Sequence, residues 1–144
     1  MSFDWSEYLN VAKELAGTAT TPANQEAKLR AAISRAYYAA FIKARNHLRD
    51  REGLLIPTTG DAHSYVSNRF ELSLDPIRQS IGEKLQRLRR FRRQADYVDI
   101  FPGLSGITII ALGLSGEVIS NRATCKYHTL FKFKYLFLSV RKYR

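Results

Sequence analysis

The stretch KLRAAISRAYYAAFIKARNHL, Lys28 to Leu48, constrains the fold more than any other part of this chain. Leu29, Ile33, Ala36, Tyr37, Ala40, Phe41, Ala44 and Leu48 recur at steps of three and four, which places them on one face of an α-helix of about six turns. Ala31, Ala32, Ala36, Ala39, Ala40 and Ala44 favour the helix and add little bulk, so neighbouring helices can approach closely. A helix of this length with so small a contact face is expected at the centre of a bundle. Arg30, Ser34, Tyr38, Arg45 and Arg49 fall on the other side and read as a polar rim, open to solvent or to a partner.

The flanking segments supply partners for such a helix. Trp5 to Ala16 has an apolar stripe of Trp5, Tyr8, Leu9, Ala12 and Leu15, with Asp4 or Ser2 as N-cap and Gly17 as the stop. Thr21 or Asn24 can cap the central helix, which closes near Asp50 before an exposed loop from Gly53 to Gly60. Asp61 or Ser64 starts a third helix with Val66, Phe70 and Leu72 inward, and Pro76 opens a fourth with Ile77, Ile81, Leu85 and Leu88 inward, followed by Phe91 or Arg92. Ala95 to Gly103 reads as a break. A fifth helix from Leu104 to Ile119 is expected from Leu104, Ile107, Ile110, Ala111, Leu114 and Val118, despite three internal glycines.

At 144 residues the chain is long enough for one hydrophobic core. With Cys125 as its single cysteine it cannot form an intrachain disulfide. It shows neither a basic leader followed by an apolar run nor an apolar stretch of membrane-spanning length, and the expected location is the cytoplasm. No His or Cys cluster has metal-ligand spacing, and there is no Gly-rich phosphate loop or nucleophile elbow, so no metal and no cofactor is expected.

The net charge is +10, but residues 122–144 hold seven Lys or Arg and no acid, leaving +3 for the first 121 residues. Two regions follow: a helical domain over 1–121 and a basic, aromatic tail over 122–144. The alternation Phe131-Lys132-Phe133-Lys134-Tyr135 suits a strand, although no earlier segment offers a sheet. The tail reads as a poorly ordered extension or one that docks on the bundle or a second copy, or as a segment that binds RNA or an anionic membrane.

Within the first region, Lys84, Arg87, Arg89, Arg90, Arg92 and Arg93 fall in ten residues without an acid. Such a run is either a solvated face whose Arg stems cover apolar neighbours, or a set of cations awaiting an anion. Phosphates would serve, since guanidinium groups hold them in bidentate fashion. So would Asp96 and Asp99, or Asp4 and Glu7 from a second subunit. Tyr37, Tyr38 and Tyr97 read as packing residues, Tyr38 being the one that could also stack on a base. His47 reads as a core-edge residue.

FDWSEYLNVAKELA, then KLRAAISRAYYAAFIKAR, then His63 after a short loop, then LRRFRRQADY, together resemble the HEPN family (higher eukaryotes and prokaryotes nucleotide-binding), in particular its small stand-alone prokaryotic members. The resemblance covers about residues 3–97, extending at most to 120. It implies an all-α, up-and-down bundle of four to five helices, here with a basic, aromatic C-terminal extension, and a homodimer. It also implies RNA or nucleotide as ligand, a toxin–antitoxin or defence-type setting, and a nucleotidyltransferase antitoxin as a candidate partner.

Many members of that family are metal-independent ribonucleases with Arg, four to six residues, then His-x-Tyr. The imidazole moves a proton near neutral pH and the guanidinium holds the scissile phosphate. Aligned on Arg90 and Tyr97, the histidine position holds Ala95. The reading that results is a binding protein that uses Arg87, Arg89, Arg90, Arg92 and Arg93 and lacks the usual catalytic histidine. The alternative is an RNA endonuclease toxin that works with a substituted acid-base residue, His63 or His128, or in which Arg90, Arg93 and Tyr97 suffice for slow cleavage. A third is a structural partner of the antitoxin, with Tyr97 as a nucleotidylation target. The pair Arg122 and His128 also matches Arg-x5-His, a spacing that chance supplies readily among so many arginines.

Overall fold

The computed structural model describes residues 2–121, which form five helices and, among the described residues, no strand. Arg122, Cys125, His128 and the rest of the tail lie outside the described residues. The helices are α1 (Glu7–Leu15), α2 (Gln25–Asp50), α3 (Ala62–Glu71), α4 (Pro76–Tyr97) and α5 (Leu104–Ser120). Their ends follow local chemistry. Gly17, at φ +71°, closes α1 in a Schellman turn, with the Thr18 N–H donating to Lys13 O at 2.9 Å and the Gly17 N–H to Glu14 O at 3.1 Å. The Asn24 side chain accepts from the Ala27 N–H at 2.8 Å to cap α2, and Asp75 accepts from the Ile77 N–H at 3.0 Å to cap α4, whose first residue is Pro76.

The central helix is α2, which packs against α1, α3, α4 and α5. Its Ile33, Tyr37, Ala40, Phe41, Ala44 and Leu48 join Val66 and Phe70 of α3, Ile81, Leu85 and Leu88 of α4, and Ala111, Leu114 and Val118 of α5 in one buried cluster. Small residues let α5 lie close, and the Ser115 hydroxyl donates to Ala36 O at 2.7 Å. A second, smaller cluster holds Phe3, Val11, Ala23 and Ala27, with Trp5, Tyr8 and Ala31 against it.

Four expectations are corrected. Arg30 is not on an open rim but fully buried, and Ser34 is buried beside it. The Arg30 guanidinium donates to Ala95 O at 3.0 Å, Val98 O at 2.7 Å and Asp99 O at 3.1 Å, pairs with Glu26, and lies 4.4 Å from the Phe3 ring centre. Leu72 is 82% exposed because α3 ends before it, and Ile77 and Ile110 are also exposed, each just off the stripe that its helix buries. The helix of the first segment begins at Glu7, after a turn in which Asp4 holds Ser6, and α1 turns Leu9 and Leu15 outward while burying Val11. Finally, α4 continues through Ala95 to Tyr97.

Candidate functional site

The site begins where α3 crosses α4. Gly82 allows the crossing: a Cβ there would stand 2.6 Å from Glu71 N and 2.8 Å from Ser67 O, so only glycine lets the two backbones meet. One turn along α4, Gln86 reaches the Glu71 carboxylate and ties the helices together. Beyond this tie a groove of about 310 Å³ is lined by Ser64, Ser67 and Asn68 of α3 and by Gln86, Arg89, Arg90 and Arg93 of α4. Three guanidinium groups and four neutral polar side chains line it, and no carboxylate does. Such a wall favours an anion.

The arginines do not share one role. Arg89 donates to the Ser64 hydroxyl at 3.1 Å, while its buried Nε has no hydrogen-bond partner. Arg90 and Arg93 are exposed, and among the described residues neither has a carboxylate within ion-pair distance. Arg87 is exposed but does not line the groove; its guanidinium lies 5.9 Å from the Phe91 ring centre. Arg92 is withdrawn. Its side chain is only 11% exposed, stands 3.7 Å from Asp96 Oδ2, and lies within 6 Å of the ring centres of Tyr37, Tyr38 and Tyr97. The expectation that Arg92 presents its charge to phosphate is thereby corrected: the charge is held inside by Asp96 and three aromatic rings.

Of the two acids expected from this chain itself to balance the cluster, Asp96 and Asp99, only Asp96 does so, and only for Arg92. It also accepts from the Ser34 hydroxyl at 3.1 Å and the Tyr8 hydroxyl at 3.2 Å. Asp99 accepts from the Trp5 indole at 2.8 Å, and Glu7 is engaged by Asn10 and the Asn24 N–H. Arg87, Arg89, Arg90 and Arg93 thus have no acid among the described residues.

His63 opens α3 at the side of this cluster. Its Nδ1 lies 2.5 Å from the Tyr37 hydroxyl of α2, and its ring centre is 4.5 Å from that of Phe41. Burial, and then the charges of Arg89 and Arg92, hold the imidazole below its ordinary pKa. Burial raises the Tyr37 phenol to about 12 in spite of those same arginines. At neutral pH the pair is therefore a neutral imidazole and an intact phenol sharing one hydrogen bond. A neutral imidazole can take up a proton.

The motif positions are pulled apart. Ala95, where the family pattern has histidine, is fully buried, and its carbonyl accepts from Arg30 and from Tyr8. Arg90 and Arg93 line the groove, and Tyr97 stands at the end of α4, 71% exposed. Among the described residues, His63 is the candidate histidine placed near the arginines. His47 lies elsewhere, 6.2 Å from the Phe70 ring centre. The sequence reading missed Tyr37 as the partner of His63, and missed Ser64, Asn68 and Gln86. The signal for Tyr37 was a hydroxyl on an otherwise apolar face, which must find a partner when buried.

Among the described residues no three His, Cys, Asp or Glu side chains stand together as a metal site, and no helix is long and apolar enough to cross a membrane. No family model and no solved structure matches the chain. It is similar to the uncharacterized protein MJ0992 of Methanocaldococcus jannaschii, at 29% identity over 136 residues, covering 85% of this chain and 75% of that protein.

Proposed function

We propose that this chain is a HEPN-like protein that binds RNA, or a nucleotide, by its phosphates. The observation that carries the reading is the groove between α3 and α4, where Arg89, Arg90 and Arg93 converge with Ser64, Asn68 and Gln86 and no acid lines the wall. Arginine supplies two parallel donors to each phosphate, and serine and amide side chains add neutral ones. Ala95 in the core removes the family's usual proton carrier from this surface, so the protein holds its ligand without cutting it. By the resemblance, its setting is a toxin–antitoxin or defence-type system and its working form a homodimer.

The position of His63 favours one second reading: metal-independent cleavage, in which His63, oriented by Tyr37, accepts the 2′-hydroxyl proton while the arginines hold the phosphate. Labelled total RNA in EDTA separates the two. Under the first reading the RNA is retained intact, and retention weakens with salt, with a log–log slope of about −2 for three phosphate contacts on a single strand. Arg90→Ala/Arg93→Ala loses that retention. Cleavage that His63→Ala abolishes, with retention kept, establishes the second reading. Absence of both leaves the arginines to a protein partner such as the antitoxin and overturns the RNA reading.

A further inference from the structure

Gln86, Arg90, Arg93 and Tyr97 are spaced four, three and four residues apart, so they share one face of α4. The first three line the groove; Tyr97 continues the line by one turn, about 6 Å further along the axis. Tyr97 is 71% exposed, against 38% for Tyr38. A large aromatic ring left open at the mouth of a basic groove is unusual for a packing residue.

The ring is also supported from behind. The Arg92 guanidinium carbon lies 5.8 Å from the Tyr97 ring centre, 5.6 Å from that of Tyr38 and 5.5 Å from that of Tyr37. Asp96, on the same turn, holds Arg92 at 3.7 Å, and Asp96 is itself held by Ser34 and Tyr8. Arg92 thus acts as a fixed cation beneath an exposed π surface, which orders the ring without covering it. The neighbouring anion groove, at about 310 Å³, sits at the small end of ligand pockets and suits a short piece of sugar-phosphate backbone.

We propose that Tyr97 is a base-stacking platform beside the phosphate groove, and that the ligand is therefore single-stranded RNA with an unpaired base next to the phosphate held by Arg90 and Arg93. A duplex hides its base faces, whereas every unpaired base offers one, whatever its identity. The inference rests on the phosphate-binding reading above and adds selectivity to it: single strand over duplex, with little preference for sequence.

The test uses the full chain and three probes: a fluorescein-labelled twelve-nucleotide RNA, the same strand annealed to its complement, and inorganic tripolyphosphate as competitor. Binding of the RNAs is read by anisotropy. The single strand is expected to bind at least ten-fold more tightly than the duplex. Tyr97→Ala should weaken single-strand binding by about ten-fold, as loss of one stacked base does, and Tyr97→Phe should restore it. Neither variant should change the tripolyphosphate affinity, whereas Arg93→Ala should weaken both RNA and tripolyphosphate. Because Tyr97 is exposed, its variants should keep the wild-type helical circular dichroism. If Tyr97→Ala binds the single strand like wild type, or the duplex binds equally well, the platform is overturned while the Arg93 effect still supports the groove. If neither RNA nor tripolyphosphate binds, both fall.

Discussion

A buried arginine is tolerated only where each of its donors is met, and Arg30 satisfies that condition at a helix end. The last carbonyls of a helix have no partner within it and carry partial negative charge. Ala95 O, at the end of α4, and Val98 O and Asp99 O, just beyond it, all accept from Arg30, which acts as a C-terminal cap supplied by another helix. Arg30→Met keeps the volume but strands three acceptors. It is expected to cost about 3 kcal/mol or more in urea denaturation, and Arg30→Lys should recover only part, since an ammonium lacks the planar fork. A loss below about 0.5 kcal/mol would show that water replaces the guanidinium. His63 provides a second residue-scale test. Its pKa is lowered on folding, so as pH falls through about 6.5 the unfolded chain takes up a proton that the folded protein resists, and stability is lost. Thermal melts between pH 7.5 and 5.5 should fall less steeply in His63→Gln than in wild type. An unchanged slope would show that the imidazole titrates alike in both states.

Two glycines show how an element's surroundings reverse the effect of one substitution. Gly82 lies where α4 meets the α3 backbone, and Gly113 lies on the outside of α5, where an added Cβ meets nothing within 4 Å. Alanine is the better helix former by about 1 kcal/mol in both positions. At Gly113 that gain is unopposed, and Gly113→Ala should raise the melting temperature by an amount equivalent to about 0.5 to 1 kcal/mol. At Gly82 the new methyl would sit 2.6 Å from a backbone nitrogen, so α3 must move, at a cost of about 1 to 3 kcal/mol. Because that crossing forms one end of the arginine-lined groove, Gly82→Ala should also weaken the RNA retention proposed for it. Two variants that melt alike would contradict the packing of α3 on α4.

For the molecule as a whole, the buried cluster from Ile33 to Val118 is built from helices α2 to α5 and Phe101 between the last two, so a chain ending at Asn121 is expected to fold cooperatively, as read by helical circular dichroism on heating. Non-cooperative melting would show that residues 122–144 complete the core. The all-α class, the order of the five helices and most of their ends were legible in the chain, because periodicity and caps act over three or four residues: Asn24, Gly17 and the Asp75-Pro76 step each act locally. So was the arginine run. The rest depends on contacts between residues far apart in sequence. Arg30 shares the polar side of α2 with Tyr38 and Arg45, and only carbonyls 65 to 69 residues away make its burial favourable. The neighbouring Arg92 and Arg93 diverge because α4 turns one inward to Asp96 and the tyrosines and the other outward to the groove. Tyr37 meets His63 across 26 residues, and Tyr97 is left open because α4 ends with that ring beyond the core. A local pattern states which side chains share a helix face; which face becomes the inside depends on what the other helices bring to it.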